Sequence, residues 1–109
     1  MTHEIVCLDW RPLERNTLRG FARVRIVPWK LAINDVALHE RDGKQWAQLP
    51  SRPMLDSNRQ LMLDENGKPR YSRVLEFTER EAADVFSAGV VRAVAAFLAA
   101  SKRVDAGVF

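Results

Sequence analysis

One cysteine, Cys7, stands in the 109-residue chain, so no internal disulfide can brace the fold. The apolar alternation around it predicts a small buried thiol rather than a nucleophile. Histidine is nearly as scarce: His3 sits in a terminus expected to fray, His39 is far away, and neither lies at metal-ligand spacing from Cys7, so no zinc site is predicted. There is no glycine-rich phosphate loop, and Ser51 lies between prolines without a glycine elbow, which removes the common nucleotide-binding and hydrolase signatures. Asp35 and His39 share a parity along a strand, but four residues of strand hold them roughly 13 Å apart, beyond the reach of an acid–base pair. No run approaches the length of a membrane-spanning helix, and Met1-Thr2-His3-Glu4 carries neither the basic nor the apolar part of a signal peptide. A cytoplasmic protein with no membrane contact is therefore expected. No enzymatic activity, cofactor or small-molecule substrate is expected either.

The apolar share of 47% is ordinary for a globular chain and the length suits one domain. Net charge is only +3, but it is unevenly spread. Residues 11–30 hold six bases (Arg11, Arg15, Arg19, Arg23, Arg25, Lys30) against Glu14, whereas residues 76–84 hold four acids against Arg80. Such asymmetry permits nucleic-acid binding, although charged faces are as often merely solvated.

Residues 34–53 organise the rest. Two runs of alternating apolar and polar residues flank Asp42-Gly43, a dipeptide suited to a type I′ turn because both turn positions need positive φ. If Arg41 pairs with Lys44, then Glu40 faces Gln45, His39 faces Trp46, Leu38 faces Ala47, Ala37 faces Gln48 and Val36 faces Leu49. One face then carries Val36, Leu38, Ala47 and Leu49; the other carries His39, Arg41, Lys44, Trp46 and Gln48.

Residues 4–10 read as a short strand that Pro12 ends, and 13–17 as a loop. The longest alternation follows at 18–27, with Leu18, Gly20, Ala22, Val24 and Ile26 on one side and Arg19, Phe21, Arg23 and Arg25 on the other. Pro28-Trp29-Lys30 breaks the strand, with Trp29 better read as a cap over the sheet than as an exposed stacking group. After Pro50 and Pro53 the chain must leave the sheet. A second hairpin is expected from 60–63 and 70–77 around Asn66-Gly67. Thr78-Glu79-Arg80-Glu81 is a capping box that opens an amphipathic helix, whose stripe of Val85, Phe86, Gly89, Val90, Ala93, Val94, Phe97 and Ala100 ends near Ser101. Ser87 belongs to its polar side, and Gly89 with the many alanines allows close approach to a sheet or to a copy of the helix itself. Residues 102–109 read as a loose tail on a single domain of residues 1–101. No internal repeat is expected.

The predicted architecture is α+β: four or five antiparallel strands, then one long helix packed on one face. A helix of about 22 residues spans roughly 33 Å and covers one face only. The open face would carry Arg19, Phe21, Arg23, Arg25, Lys44 and Trp46, with Arg52 beside it. Cations that neutralise phosphates and rings that stack on bases are the two requirements of single-strand recognition, so these seven residues form the candidate nucleic-acid site. The competing reading makes the same face a dimer or partner interface of a protein-interaction module without nucleic-acid binding.

The pieces Asn34-Asp35-Val36 with Leu38, Gly43, and Trp46-Ala47-Gln48-Leu49-Pro50-Ser51-Arg52, together with Val90, Val91 and Ala93, resemble the SpoVG-like proteins, small bacterial regulators named for sporulation and septation. The resemblance implies a strand-rich domain with a carboxyl-terminal helix, a homodimer, and binding to DNA or RNA, with Arg52 as the contact carried by the motif itself. The chain departs from that pattern at Ala37, where the family often has a base, in a longer 56–70 segment, and in lacking a strongly basic tail.

Overall fold

Each strand of the main sheet follows its neighbour in sequence. In the computed structural model, which describes residues 4–108 and leaves His3 outside, β1 (Ile5–Arg15), β2 (Leu18–Ile26), β3 (Leu31–Arg41) and β4 (Lys44–Gln48) form an antiparallel meander in the order β1-β2-β3-β4. The hairpin register is the one its turn dictates, from Arg41 opposite Lys44 to Ala37 opposite Gln48. Asp42 and Gly43 both have positive φ, 53° and 81°, as a type I′ turn demands. The expected pair of Val36 with Leu49 does not form as a strand pair. β4 stops at Gln48 and Val36 is set opposite Ala22 of β2, though Leu49 still packs on the core.

The strand expected to end before Pro12 continues to Arg15, with Pro12 opposite Gly20. Because β1 is an edge, a residue without an N–H is tolerated there. The loop expected at 13–17 contracts to a turn in which Asn16 takes φ 55°.

Bulges set which side chains face inward. In β3 the segment from Ile33 to Val36 spans only Val24 to Ala22 of β2, so Asn34 and Asp35 together oppose Arg23. Asp35 takes φ 59°. This extra residue lets Ile33 and Val36 both enter the core, which strict alternation would forbid. A second bulge between Leu18 and Gly20 turns Leu18 to the open side with His39, its cross-strand partner.

α1 (Arg80–Val108) starts one residue later than the capping box places it: the Ala83 N–H donates to the Glu79 carbonyl at 3.2 Å, which makes Glu79 the cap. It also runs beyond Ser101 to Val108, where a loose tail was expected from 102 to 109; Phe109 lies outside the described residues. By length and composition the 22-residue stretch Arg80–Ser101, which contains an 18-residue window of mean hydropathy 1.6, would suffice to cross a membrane, so the expectation that no run is long enough was too strong. Here the stripe of Phe86, Val90, Ala93 and Val94 is buried, and with Ala22, Val24, Ile26, Ile33, Val36 and Leu38 it makes the core. Gly89 permits the approach: a Cβ there would lie 2.8 Å from the tip of Ile5. Ser87 does not face solvent as expected. Its hydroxyl accepts from the Ala47 amide at 2.8 Å, tying α1 to the outer edge of β4. Trp29 lines a cleft of about 400 Å³ with Ile5, Ile26, Phe77 and Phe86 but is 61% exposed, so it covers the sheet only in part. Cys7 is half-buried; burial above all holds its thiol above the ordinary value, and its Sγ donates to the Asp9 carbonyl.

The chain after Pro50 forms a separate lobe. β5 (Ser51–Pro53) pairs with β6 (Tyr71–Arg73), not 60–63 with 70–77. The Asn66-Gly67 turn is present, and an unexpected repeat accompanies it. Leu-Asp-Xaa-Asn occurs at Leu55 and again at Leu63, eight residues later. In each copy the aspartate carboxylate accepts two backbone N–H bonds, Asp56 from Asn58 and Gln60, Asp64 from Asn66 and Lys68, all at 2.8–3.0 Å. Those bonds hold the Asp64 carboxyl below its usual range. The arms close through bridges Leu55–Leu61 and Leu63–Pro69. At the centre Met62 N–H donates to Met54, Arg70 N–H to Met62, and Met54 N–H to Arg70, a closed ring of backbone bonds at 2.8–2.9 Å. The lobe is thus a three-armed clover leaf, with β5 and β6 as its stem.

Candidate nucleic-acid interface

The face of the sheet away from α1 is built in rows that the strand register defines. Val6, Arg25 and Ala32 align across β1, β2 and β3; Asp9 and Arg23 align with the Asn34-Asp35 bulge. Arg11, Phe21, Ala37 and Gln48 form the next row across all four strands, followed by Arg15, Leu18, His39 and Trp46, and then by Arg41 and Lys44 at the hairpin tip. Cations therefore run the length of the face, with rings in its middle.

Within this frame the candidates separate. Phe21, Arg23, Arg25, Lys44 and Trp46 lie on the open face. Arg23 is exposed, its Nε donating to Asn34 Oδ1 at 3.0 Å. Trp46 is 37% exposed and stacks on His39, with centroids 5.5 Å apart and planes 9° from parallel. The imidazole is fixed at both nitrogens: Nδ1 lies 3.0 Å from Thr17 Oγ1 and Nε2 lies 3.2 Å from Gln48 Oε1. Both ring nitrogens therefore have a hydrogen-bonding partner, which fixes the plane of the imidazole. Phe21 is half-buried, and the Arg11 guanidinium lies 5.8 Å from its ring centroid.

Two candidates are not brought to that face. Arg19 sits at the bulge between Leu18 and Gly20, and its guanidinium donates to the carbonyls of Asn16 and Leu18 at 3.0 and 3.2 Å. It braces the β1–β2 turn. Arg52 is in the lobe opposite Ser72, and strand alternation sets it on the face opposite Ser51 and Tyr71.

Other residues join the site without having been singled out. A groove of about 590 Å³ runs between the open face and the lobe, lined by Phe21, Ala37, His39, Gln48, Ser51 and Tyr71. Tyr71, 59% exposed, adds a third flat wall. At the mouth Arg11 forms an ion pair with Asp35, the bulge residue, while its guanidinium covers Phe21. In the sequence Arg11 reads only as part of the basic stretch, because Pro12 is expected to end its strand. Among the described residues no cluster of three or more histidine, cysteine, aspartate or glutamate side chains is arranged to hold a metal ion.

No family model, curated protein or solved structure matches this chain.

Proposed function

We propose that the protein is a non-enzymatic nucleic-acid-binding regulator that acts as a homodimer and holds single-stranded DNA or RNA across the open face. The observation that carries this reading is the groove itself, flat side chains on three sides set within a line of arginines. Phosphate neutralisation by Arg11, Arg23, Arg25 and Lys44 supplies affinity, and stacking at Phe21, Trp46 and Tyr71 contributes about 1–3 kcal/mol per base. Trp46 already stacks on His39, which presents its outer surface as a rigid platform rather than a mobile one.

The test is fluorescence anisotropy of labelled single-stranded and duplex DNA and RNA across a salt series. Wild type is expected to bind single strands with a steep salt dependence. Arg23→Ala/Arg25→Ala should weaken binding roughly tenfold or more and flatten the log–log salt slope by about 1.4, the share of two single-strand phosphate contacts. Absence of binding by folded protein at low salt would sink the proposal.

The Arg11–Asp35 pair adds a result of opposite sign. Asp35 holds the guanidinium that lies over Phe21, so a phosphate must compete with it before a base reaches the ring. Asn occupies left-handed backbone as readily as Asp, and Asp35→Asn should tighten binding severalfold without loss of stability, since an exposed ion pair contributes little. The gain should vanish in an Arg11→Ala background. A gain that survives there would mean that Asp35 acts only by general repulsion.

A further inference from the structure

The bridges of the clover leaf determine what its two faces carry. Partners across an antiparallel bridge share a face, and so do residues two apart on one strand. Pro53, Leu55, Leu61, Leu63, Pro69 and Tyr71 are therefore all on one side, around the ring of Met54, Met62 and Arg70. Every one of the six is exposed, with Leu55 at 54%, Leu61 at 49% and Leu63 at 56%. None of the six bears a charge; the same rule adds Ser51 and Arg73 at the stem end, where Arg73 is ion-paired with Glu76. The backbone beneath is pinned by the hydrogen-bond ring and the two aspartate-clamped loops, so the patch has a fixed shape. Scattered surface leucines need no explanation, but a contiguous, preorganised apolar face marks an interaction site.

The size of the chain's surface points to the occupant. The protein exposes 8678 Å², whereas a compact monomer of 12.4 kDa exposes about 6,100 Å². Its radius of gyration is 16.1 Å against about 13 Å for a compact chain of this length. The excess, about 2,500 Å², exceeds the roughly 800 Å² that each partner commits to a stable interface. A chain this short with so little of its surface buried is better suited to folding as half of a larger body than alone.

We infer that the apolar face of the lobe is a self-complementary interface that packs on the same face of a second copy. The inference rests on the homodimer proposed above and adds where it is made. A twofold contact uses the same patch on both sides, and its uncharged apolar residues meet their own copies without repulsion. Tyr71 lies at the stem edge of this face and also lines the groove, so the contact centres on Leu55, Leu61 and Leu63 and leaves Tyr71 and the basic faces open to a strand that runs from one groove to the other.

Sedimentation and light scattering of wild type and Leu61→Asp/Leu63→Asp test this. Wild type is expected to be a dimer at micromolar concentration. The variant should be a monomer with unchanged far-ultraviolet dichroism and still bind a short single strand, while losing affinity for a strand long enough to cross both grooves. A second arm avoids dependence on the charged variant: in Cys7→Ser protein, Leu63→Cys should oxidise to a disulfide-linked dimer. A monomeric wild type would overturn the homodimer reading and this inference with it. A dimer that survives the aspartates and gives no cross-link would overturn the inference alone, moving the interface to α1 or to the open face.

Discussion

Replacement of Phe86 by alanine is expected to lower stability by about 3–5 kcal/mol, the range for removing a buried aromatic side chain. Phe86 is 6% exposed and belongs to the stripe that α1 presses on the sheet. Its ring lies 5.2 Å from that of Phe77 in a tilted arrangement, a geometry that adds to simple burial. With Phe77 it also lines two clefts, one of about 400 Å³ bounded by Trp29 and Ile26, the other of about 240 Å³ bounded by Ala47 and Leu75. Removing it enlarges the space beside both, so collapse around the vacancy should recover little. Since a domain of this size has about 5–15 kcal/mol in total, the variant should unfold at a much lower urea midpoint with m unchanged. A loss under about 1.5 kcal/mol would show that α1 is held elsewhere along its length.

Gly20→Ala is the second large effect. Gly20 is buried, and a Cβ there would lie 2.6 Å from the carbonyl oxygen of Arg11 and 2.6 Å from the Trp10 ring. The indole could swing away, but the carbonyl belongs to β1 and cannot. The strand must shift, at a cost of about 1–3 kcal/mol and at the upper end because the obstacle is backbone. Displacing β1 also moves Arg11 relative to Phe21. Chemical denaturation should report the loss, and nucleic-acid affinity should fall with it. Full stability in the alanine variant would mean that β1 is not held as closely as the indole packing implies.

The contrast between these two positions explains which parts of the fold were legible. Phe86 sits in a run whose 3.6-residue period depends on nothing outside the helix, and the Asp42-Gly43 hairpin is equally local: its turn chemistry and alternation fix its register. Gly20 reads only as a small residue in a strand until Trp10 is known to cross it. Pro12 reads as a terminator because its tolerance depends on β1 being an edge, a fact of topology. Leu18 and Arg19 exchange the roles that alternation assigns them because a bulge falls between Leu18 and Gly20, and bulges break the period on which the reading relies. For the site, Phe21, Arg23, Arg25, Lys44 and Trp46 followed from strand parity alone. Tyr71 could not, since it reaches the groove through a lobe closed by residues far away in sequence. The eight-residue echo at Asp56 and Asp64 was visible in the letters, yet its meaning needed the ring of backbone bonds that the two loops serve.

The bond from the Ala47 amide to Ser87 has a consequence for behaviour at high concentration. A sheet edge with free amides can recruit strands from other molecules, and such recruitment begins many aggregates. Here α1 occupies one such amide on β4, while the opposite edge, β1, is interrupted by bulges and by Pro12, which offers no donor. Neither margin presents a long, regular template. Ser87→Ala should therefore leave the folded monomer's core intact while raising its tendency to form sheet-rich aggregates on prolonged incubation, a change that thioflavin fluorescence would detect and a thermal melt would largely miss.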